Sequence, residues 1–206
     1  MNVTEKILVV DVGLGNIGSI CNMIKCVGGD AYSSSSPDDV ANAAKIILPG
    51  VGSFDAGMKA LDDAGLIDPI KFAANNNVNI LGICLGMQML FNSSEEGRLE
   101  GLGLIPGDVK KFQPKDNIKV PHMGWNMVKL TNHSSLLDEQ DDEMRFYFVH
   151  SYYVACKSDS DSVGVTHHGR TFTSAVERNK IMGVQFHPEK SHRFGMALFK
   201  RFSGLS

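Results

Sequence analysis

The sequence predicts an α/β protein with a mostly parallel central sheet flanked by helices and a strand-rich second half. Apolar stretches of strand length alternate with helix-like segments through the first half, and this alternation is typical of parallel sheets with right-handed crossovers. Glycine-rich turns directly follow two of the apolar stretches. In such sheets the reactive groups lie at the carboxyl ends of the strands, so we expect the functional site at these two turns.

Each element follows from local composition. Apolar and β-branched stretches in the first half predict strands at 7–11, 31–34, 45–48 and 79–83. Amphipathic segments predict helices at 16–27, 37–43, 54–64, 66–74 and 85–91. In the second half we predict strands at 108–112, 125–130, 143–149, 152–155, 171–176 and 181–186, with a closing helix at 191–202. No linker or repeat interrupts this order, so we expect a single domain over residues 1–206.

Composition excludes several classes of function. The chain has 206 residues, of which 43% are apolar and 21% charged, the balance of an ordinary globular protein. A net charge of −3 gives no electrostatic basis for binding nucleic acid or an anionic membrane. No stretch has the length of a membrane span and no signal peptide is recognisable, so we expect a cytoplasmic protein. Cysteine and histidine spacing suggests neither disulfides nor a metal site, and we expect no cofactor.

A cysteine between two glycines follows the predicted strand at 79–83. Gly82 and Gly86 stand two residues either side of Cys84, as a sharp strand-to-helix turn requires, because a side chain there would collide with neighbouring backbone. The turn places the sulfur at the amino end of a helix, where the dipole favours thiolate over thiol. The motif predicts a nucleophile, although such a cysteine can also be a small buried hydrophobic residue.

A candidate base lies near the other end of the chain, after the predicted strand at 181–186. Pro188 disfavours a helical conformation for His187, and residues i and i+2 of an extended chain face the same side. Glu189 can therefore hold one imidazole nitrogen while the other faces Cys84, which gives a nucleophile, a base and an orienting carboxylate. A histidine before proline is often structural, but the two motifs together favour catalysis.

A glycine-containing loop after the predicted strand at 45–48 supplies the third component. Attack of a thiolate on a carbonyl produces an oxyanion, which backbone N–H groups stabilise. We predict one donor to be the amide of Leu85, the residue after the cysteine. The other donor is predicted in the segment Gly50, Val51 and Gly52, from either Val51 or Gly52, although Pro-Gly is also common in ordinary turns.

These motifs resemble those of class I glutamine amidotransferases. The resemblance is carried by PGVG at 49–52, GICLGMQ at 82–88 and QFHPEKS at 185–191. PHMGWN at 121–126 and YFVHSY at 147–152 narrow it to the glutaminase subunits of imidazole glycerol phosphate synthases. It extends over nearly the whole chain.

The resemblance implies a reaction and residues for it. Cys84 is expected to attack the side-chain amide of glutamine and form a glutamyl thioester, with His187 carrying the proton and Glu189 orienting His187. The ammonia is expected to pass to a separate cyclase subunit that makes imidazole glycerol phosphate and AICAR in histidine biosynthesis. Glutamine-binding residues implied are Gln88, His150, Ser151 and Tyr152, and residues facing the cyclase are Gly15, Asn16, Met123, Trp125 and Asn126.

Other interpretations remain open at the level of sequence. The chain could be a stand-alone cysteine hydrolase such as a peptidase, a noncatalytic regulator with the same fold, or a glutaminase serving a synthase that amidates sugars. The pattern G-x-G-x-x-G at 13–18 is also found in dinucleotide-binding folds. We disfavour that interpretation because no acidic residue ends the second predicted strand.

Overall fold

The computed structural model describes residues 5–113, 118–138 and 143–205. Strands and helices alternate in the first half. In chain order they are β1 (Ile7–Val10), α1 (Ile17–Cys26), β2 (Ala31–Ser34), α2 (Pro37–Ala41), β3 (Lys45–Gly50), α3 (Phe54–Asp63), α4 (Ile67–Asn75), β4 (Asn79–Cys84) and α5 (Leu85–Met89).

The second half is built mainly of strands. Among its described residues are two 3-10 turns, at Asp159–Asp161 and Pro188–Lys190. Its other elements are β5 (Ser93–Ser94), β6 (Gly107–Lys111), β7 (His122–Met127), β8 (Lys129–Leu130), β9 (Arg145–His150), β10 (Tyr152–Cys156), β11 (Ser162–His168), β12 (Arg170–Arg178), β13 (Ile181–Val184) and α6 (His192–Gly204).

One large sheet organises both halves. Its first five strands in spatial order, β2-β1-β3-β4-β13, are all parallel. The sheet continues with antiparallel β12, β10 and β6, and β5 pairs in parallel with β6. β11 pairs with β12 and β8, and β7 and β9 form a separate two-stranded sheet. The predicted α/β class, with a parallel sheet flanked by helices and a strand-rich second half, is confirmed.

Two apolar layers cover the parallel part of the sheet. Successive residues of β1 face opposite sides, so Ile7 and Val9 join one buried cluster and Leu8 and Val10 the other. Helices α1 and α6 contribute to the first cluster, and α3 and α4 to the second. Because both faces are covered, β1, β3 and β4 are buried along their whole length and read as continuous apolar runs.

Close backbone contacts hold the ends of β3 and β4 together. A Cβ atom at Gly86 would overlap the carbonyl oxygen of Leu48, and one at Gly82 would lie 2.7 Å from the Gly86 backbone. A Cβ at Gly50 would lie 2.9 Å from Cβ of Leu85. These glycines let α5 begin directly against β3, which fixes the direction of the turn at the end of β4.

Several predicted boundaries differ from the structure. The strand expected at 125–130 is two strands, β7 and β8, because β7 starts at His122 and pairs with β9 while β8 pairs with β11. The helix expected at 85–91 ends at Met89, since the amides of Leu90 and Phe91 bond three residues back and tighten the last turn. Strand β11 was not predicted, because Gly164 and two terminal histidines weaken its apolar pattern. In the described residues no helix is long and apolar enough to cross a membrane.

We predict that Gly86→Ala destabilises the protein by about 1–3 kcal/mol, because the added methyl group meets backbone that cannot move aside. Gly18→Ala is the matched control: Gly18 lies inside α1 with open space around it, so alanine should stabilise by about 0.5–1 kcal/mol. Urea unfolding of both variants measures the two changes. Equal effects of the two substitutions would contradict the packing argument.

Candidate active site

Three neighbouring parallel strands bring the predicted site together. Gly50 at the end of β3 is in register with Cys84 at the end of β4. Strand β13 pairs with β4 on its other side, with Val184 beside Ile83, and the chain reaches His187 three residues later. Residues separated by about a hundred positions therefore meet at one edge of the sheet, as expected for parallel strands.

Cys84 sits in a strained conformation between β4 and α5. Its φ of 54° and ψ of −108° lie in a region that L-residues other than glycine rarely adopt, and such strain persists only where the surroundings impose it. Here the glycine contacts around the turn impose it. The side chain is 8% exposed and lines a cavity, which is the placement of a nucleophile at a strand-to-helix turn.

His187 and Glu189 form a buried pair behind the cavity. The Nδ1 atom of His187 lies 2.8 Å from Oε1 of Glu189, and both side chains are almost fully buried. Burial lowers the pKa of His187, but its interactions with the Cys84 sulfur and the Glu189 carboxylate outweigh burial and raise that pKa to about 9. The imidazole is thus held ready to carry a proton, with Nε2 making no hydrogen bond to the described residues.

Backbone anchors fix the segment that carries His187. Its amide donates to the carbonyl of Tyr147 at 2.8 Å. The hydroxyl of Ser191 donates to the carbonyl of His187 at 2.6 Å and accepts from the amide of Tyr147 at 3.0 Å. Ser191 is fully buried, so it ties His187 to β9. The sequence motifs predicted no role for Ser191.

Two glutamine side chains connect the thiol to the opposite wall. Nε2 of Gln185 donates to Sγ of Cys84 at 3.7 Å, and Nε2 of Gln88 donates to Oε1 of Gln185 at 3.0 Å and to the carbonyl of Tyr152 at 3.3 Å. Gln88 was predicted to bind substrate, and it lines the cavity. Gln185 was not predicted as a site residue, although it lies in the same motif as His187.

The cavity has a volume of about 340 Å³. Cys84 and His187 line it, together with predicted oxyanion-hole and glutamine-binding residues. Three further lining residues, Glu96, Pro121 and Val149, carried no prediction. Pro121 and Val149 lie within the motifs at 121–126 and 147–152 but were given no role, and Glu96 lies in a turn outside any motif. The predicted residues that line the cavity are Val51, Gly52, Leu85, Gln88, His150, Ser151 and Tyr152. Gly50 instead packs against Leu85 beneath this layer.

Glu96 brings a carboxylate to the cavity. Its Oε2 atom accepts a hydrogen bond of 2.8 Å from the amide of Phe54, the first residue of α3. This bond places the carboxylate at the amino end of α3. Among the lining residues that the structure describes, Glu96 is the acidic one, so it is the group suited to a cationic part of a ligand.

Strand β7 presents a row of large apolar side chains to solvent. Met123, Trp125 and Met127 alternate along it and are 63%, 49% and 46% exposed. The ring of Trp125 stacks on His192 at 5.5 Å, and Asn126 is half-buried. Met123, Trp125 and Asn126 are predicted to face a partner, and Met127, which carried no prediction, completes the exposed row.

The other residues predicted to face a partner lie at the start of α1. Asn16 is the residue preceding the helix. Gly15 has a φ of +129°, and a Cβ there would lie 3.1 Å from Cβ of Pro49. This turn therefore packs against the end of β3, just before Val51 and Gly52.

A cluster of histidines adjoins the cavity. The His122 ring stacks on the rings of His168 at 4.2 Å and Phe148 at 4.7 Å. Burial, together with His168, lowers the pKa of His122 to about 4. Burial lowers the pKa of His150 to about 3, against the opposing hydrogen bond to Tyr152. Both imidazoles are therefore neutral at neutral pH. Within the described ranges, no group of three or more His, Cys, Asp or Glu residues is arranged to hold a metal ion.

Comparisons with known proteins agree with this architecture. The family model described as "Glutamine amidotransferase class-I" matches residues 8–203. The structure of PurLQS from Thermotoga maritima superposes with a TM-score of 0.74 at 18% identity, covering 97% of this chain and 98% of that one. A glutamine amidotransferase from the same organism superposes with a TM-score of 0.67 at 17% identity, covering 93% and 79%. At these identities the two structures show the fold alone.

The chain belongs to the class I glutamine amidotransferase family. Within that family it is similar to proteins named imidazole glycerol phosphate synthase subunit HisH. It is 51% identical to "subunit HisH 2" of Methanococcus maripaludis, with 95% of this chain and 98% of that protein covered. It is 48% identical to "subunit HisH 2" of Pseudomonas aeruginosa, with 97% and 99% covered.

The buried histidines should make the fold sensitive to acid. Histidines in the unfolded chain have a pKa near 6.5. In the fold the pKa is about 4 for His122 and about 3 for His150. Their contribution to the free energy of unfolding is therefore present above pH 6.5 and is lost as the pH falls toward those folded pKa values. Between these limits each should lower the free energy of unfolding by about 1.4 kcal/mol per pH unit. Well below pH 6.5 His187 adds no slope, because a folded pKa of about 9 and an unfolded pKa near 6.5 both leave it protonated there.

Urea unfolding at a series of pH values between about 6.5 and 5 measures this slope. His122→Phe keeps an aromatic ring in the stack but cannot be protonated. It should therefore reduce the slope by the contribution of one histidine, about 1.4 kcal/mol per pH unit. Identical slopes for the variant and the original protein would show that His122 does not resist protonation in the fold.

Proposed function

We propose that this protein is the glutaminase subunit of an imidazole glycerol phosphate synthase, which hydrolyses L-glutamine and passes the ammonia to a separate cyclase subunit in histidine biosynthesis. The observation that carries the proposal is the strained Cys84 turn, which opens into one cavity with His187 while Glu189 holds the far side of that imidazole. Identities of 40–51% to proteins named as HisH subunits support the choice within the family. We also propose that residues 1–206 form one domain.

The chemistry follows from the roles of these groups. The Cys84 thiolate attacks the side-chain amide carbon of glutamine, and protonated His187 gives its Nε2 proton to the departing nitrogen, which leaves as ammonia. A glutamyl thioester remains on Cys84. Water then attacks the thioester as His187 takes its proton, and glutamate leaves with the thiolate restored. Glu189 holds the tautomer and stabilises the imidazolium.

Both attacks create an oxyanion beside Cys84. The amide of Leu85 opens α5 directly after the nucleophile and lines the cavity, so it is the first donor. The second donor is the amide of Val51 or Gly52, which line the same cavity. Gly52 has a φ of +108°, a conformation that glycine adopts without strain.

The cavity suits one amino acid. A volume of about 340 Å³ is at the small end of ligand pockets, which favours free glutamine over a peptide. We assign Glu96 to the α-ammonium group of glutamine, because an ion pair with a charged hydrogen bond is the strong way to hold that group. Gln88, His150, Ser151 and Tyr152 form the wall beside it.

Ammonia transfer requires a partner in close contact. Ammonia released into water at neutral pH becomes ammonium and is no longer nucleophilic, so a closed passage to the acceptor is needed. We assign the docking surface to the exposed row Met123, Trp125 and Met127 on β7, because methionine and aromatic residues are enriched in interfaces. We assign the turn at Gly15 and Asn16, which packs against the end of β3, to the same partner. A cytoplasmic location fits this biosynthetic role.

Glutamine hydrolysis tests the proposal. The isolated chain should hydrolyse glutamine slowly, and addition of the cyclase with its nucleotide substrate should raise turnover by about tenfold or more, a coupling of ordinary size between sites. Cys84→Ala should abolish hydrolysis. Cys156→Ala is the control, because burial raises the pKa of that thiol to about 12 and it lies outside the cavity.

Three results would contradict this assignment in whole or in part. High glutaminase activity in the free chain that the cyclase leaves unchanged would remove the coupling. Peptide hydrolysis without glutamine hydrolysis would favour a stand-alone cysteine hydrolase. Ammonia delivery to a sugar-amidating synthase, but not to the cyclase, would keep the chemistry and change the pathway.

Glu96→Gln tests the substrate assignment. The variant keeps an oxygen that can accept from Phe54 but loses the charge, so KM for glutamine should rise by about 10- to 100-fold while kcat changes little, as expected for a charged hydrogen bond. Glu95→Gln is the matched control on the adjacent residue, which bonds to the Lys111 amide outside the cavity. Steady-state kinetics that show equal KM values for both variants would rule out Glu96 as the ammonium site.

A further inference from the structure

A chain of hydrogen bonds begins on the docking strand β7 and enters the wall of the cavity. Nδ2 of Asn126 lies 3.0 Å from Nε2 of His122. Nδ1 of His122 lies 2.9 Å from Nε2 of His150, and Nδ1 of His150 lies 2.7 Å from the carbonyl oxygen of Tyr152. His122 and His150 are also paired across β7 and β9, so the two rings are held at this spacing by the backbone.

The chain continues from the cavity wall to the nucleophile. The carbonyl of Tyr152 accepts a second hydrogen bond, from Nε2 of Gln88. Gln88 uses its other amide hydrogen for Gln185, and Gln185 donates to the sulfur of Cys84. A carbonyl oxygen has two lone pairs and a side-chain amide has two hydrogens, so every link from His150 to Cys84 can form at the same time.

The groups at the two ends of this chain, the Tyr152 carbonyl and the Asn126 amide, fix the direction of each hydrogen bond between them. The Tyr152 carbonyl can only accept, so Nδ1 of His150 carries the hydrogen, and the neutral ring must accept at Nε2. His122 therefore donates from Nδ1 and accepts at Nε2. The contacts of Asn126 are consistent with this direction. Its Nδ2 donates to the carbonyl of His167 at 2.9 Å and its oxygen accepts from the Met127 amide at 2.8 Å, so Nδ2 is the NH2 group and donates its other hydrogen to Nε2 of His122. One tautomer of each histidine satisfies all contacts.

We propose that His122 is a positioning residue for the glutaminase site. By donating Nδ1–H to His150, it selects the tautomer with which His150 holds the Tyr152 carbonyl, and that carbonyl in turn orients Gln88 and Gln185 beside Cys84. This proposal rests on the glutaminase function proposed above.

His122 acts without touching the substrate. It is 4% exposed and stands one side chain behind the cavity, which His150 lines. The bond from His150 to Tyr152 spans Ser151, so it sets the turn between β9 and β10, where the cavity wall is made. Without the donor from His122, Nε2 of His150 is buried with no partner, and the other tautomer turns a lone pair toward the Tyr152 carbonyl. Both outcomes loosen this wall.

The competing explanation is that His122 only packs. Its ring stacks on Phe148 and His168, and a phenylalanine would preserve those contacts. Loss of packing would reduce the amount of folded protein and hence kcat, but it would leave KM for glutamine unchanged in the molecules that fold. Loss of a positioned wall would raise KM. The change in KM relative to the change in kcat therefore separates the two explanations.

The experiment compares three variants by steady-state glutaminase kinetics, with the cyclase bound, and by thermal unfolding. His122→Phe keeps the ring and removes both hydrogen bonds, and we expect KM for glutamine to rise about tenfold, or about 1.4 kcal/mol, with kcat within about threefold. His122→Asn keeps an N–H close to the position of Nδ1 and should recover most of the loss. His168→Phe, a ring in the same stack outside the chain of bonds, should leave KM unchanged.

The outcomes discriminate between the proposals. An inactive original protein would refute the glutaminase function itself. An active original protein with the same KM in His122→Phe, or equal KM increases in the Phe and Asn variants, would overturn the positioning role. If His122→Phe does not fold, Asn126→Ala decides in the free chain: this half-buried residue opens the same chain, and an unchanged KM there would also overturn it.

Discussion

The close approach of α5 to β3 is the constraint on which the rest of the site depends. Gly82 and Gly86 have no side chains where the backbones meet, and this allows the chain to turn from β4 into α5 within one residue. Cys84 absorbs the strain of that turn in its backbone. Its thiol consequently points into the cavity, and the amide of Leu85 follows directly behind it. The same contacts place Gly50, and with it the loop of Val51 and Gly52, against the turn.

The second half of the chain completes a site that the first half begins. Strand β13 pairs with β4 as the last strand of the parallel run β2-β1-β3-β4-β13, and the chain that follows it carries His187 to the same edge of the sheet as Cys84. Ser191 ties the His187 segment to β9, and β9 also carries His150 into the cavity wall. Because β9 pairs with β7, His187, the cavity wall at His150 and the exposed apolar row of β7 all belong to one connected structure. This connection is the physical basis for expecting docking and catalysis to influence each other.

Electrostatics divide the histidines of this region into two kinds. His187 lies beside a sulfur and a carboxylate, which hold a proton on the imidazole despite its burial. His122 and His150 are surrounded by rings and neutral hydrogen-bonding groups, so burial keeps them neutral. A charged His187 can donate a proton to a leaving group. The neutral pair His122 and His150 carries no charge, and each ring fixes the tautomer of the other through their hydrogen bond. Burial favours the neutral form of all three imidazoles, and only at His187 do neighbouring groups outweigh it.

The sequence by itself determined the α/β class, the strand-to-helix turn at Cys84 and the pairing of His187 with Glu189, because each depends on residues close together in the chain. Glycine spacing, period-2 alternation and the effect of proline are local rules. Only the tertiary structure decided that Glu96 faces the cavity, that Gln185 reaches Cys84, and that His122 bonds to His150. Those contacts join residues from separate loops and strands, and no local pattern specifies which distant side chains a folded sheet will bring within hydrogen-bonding distance.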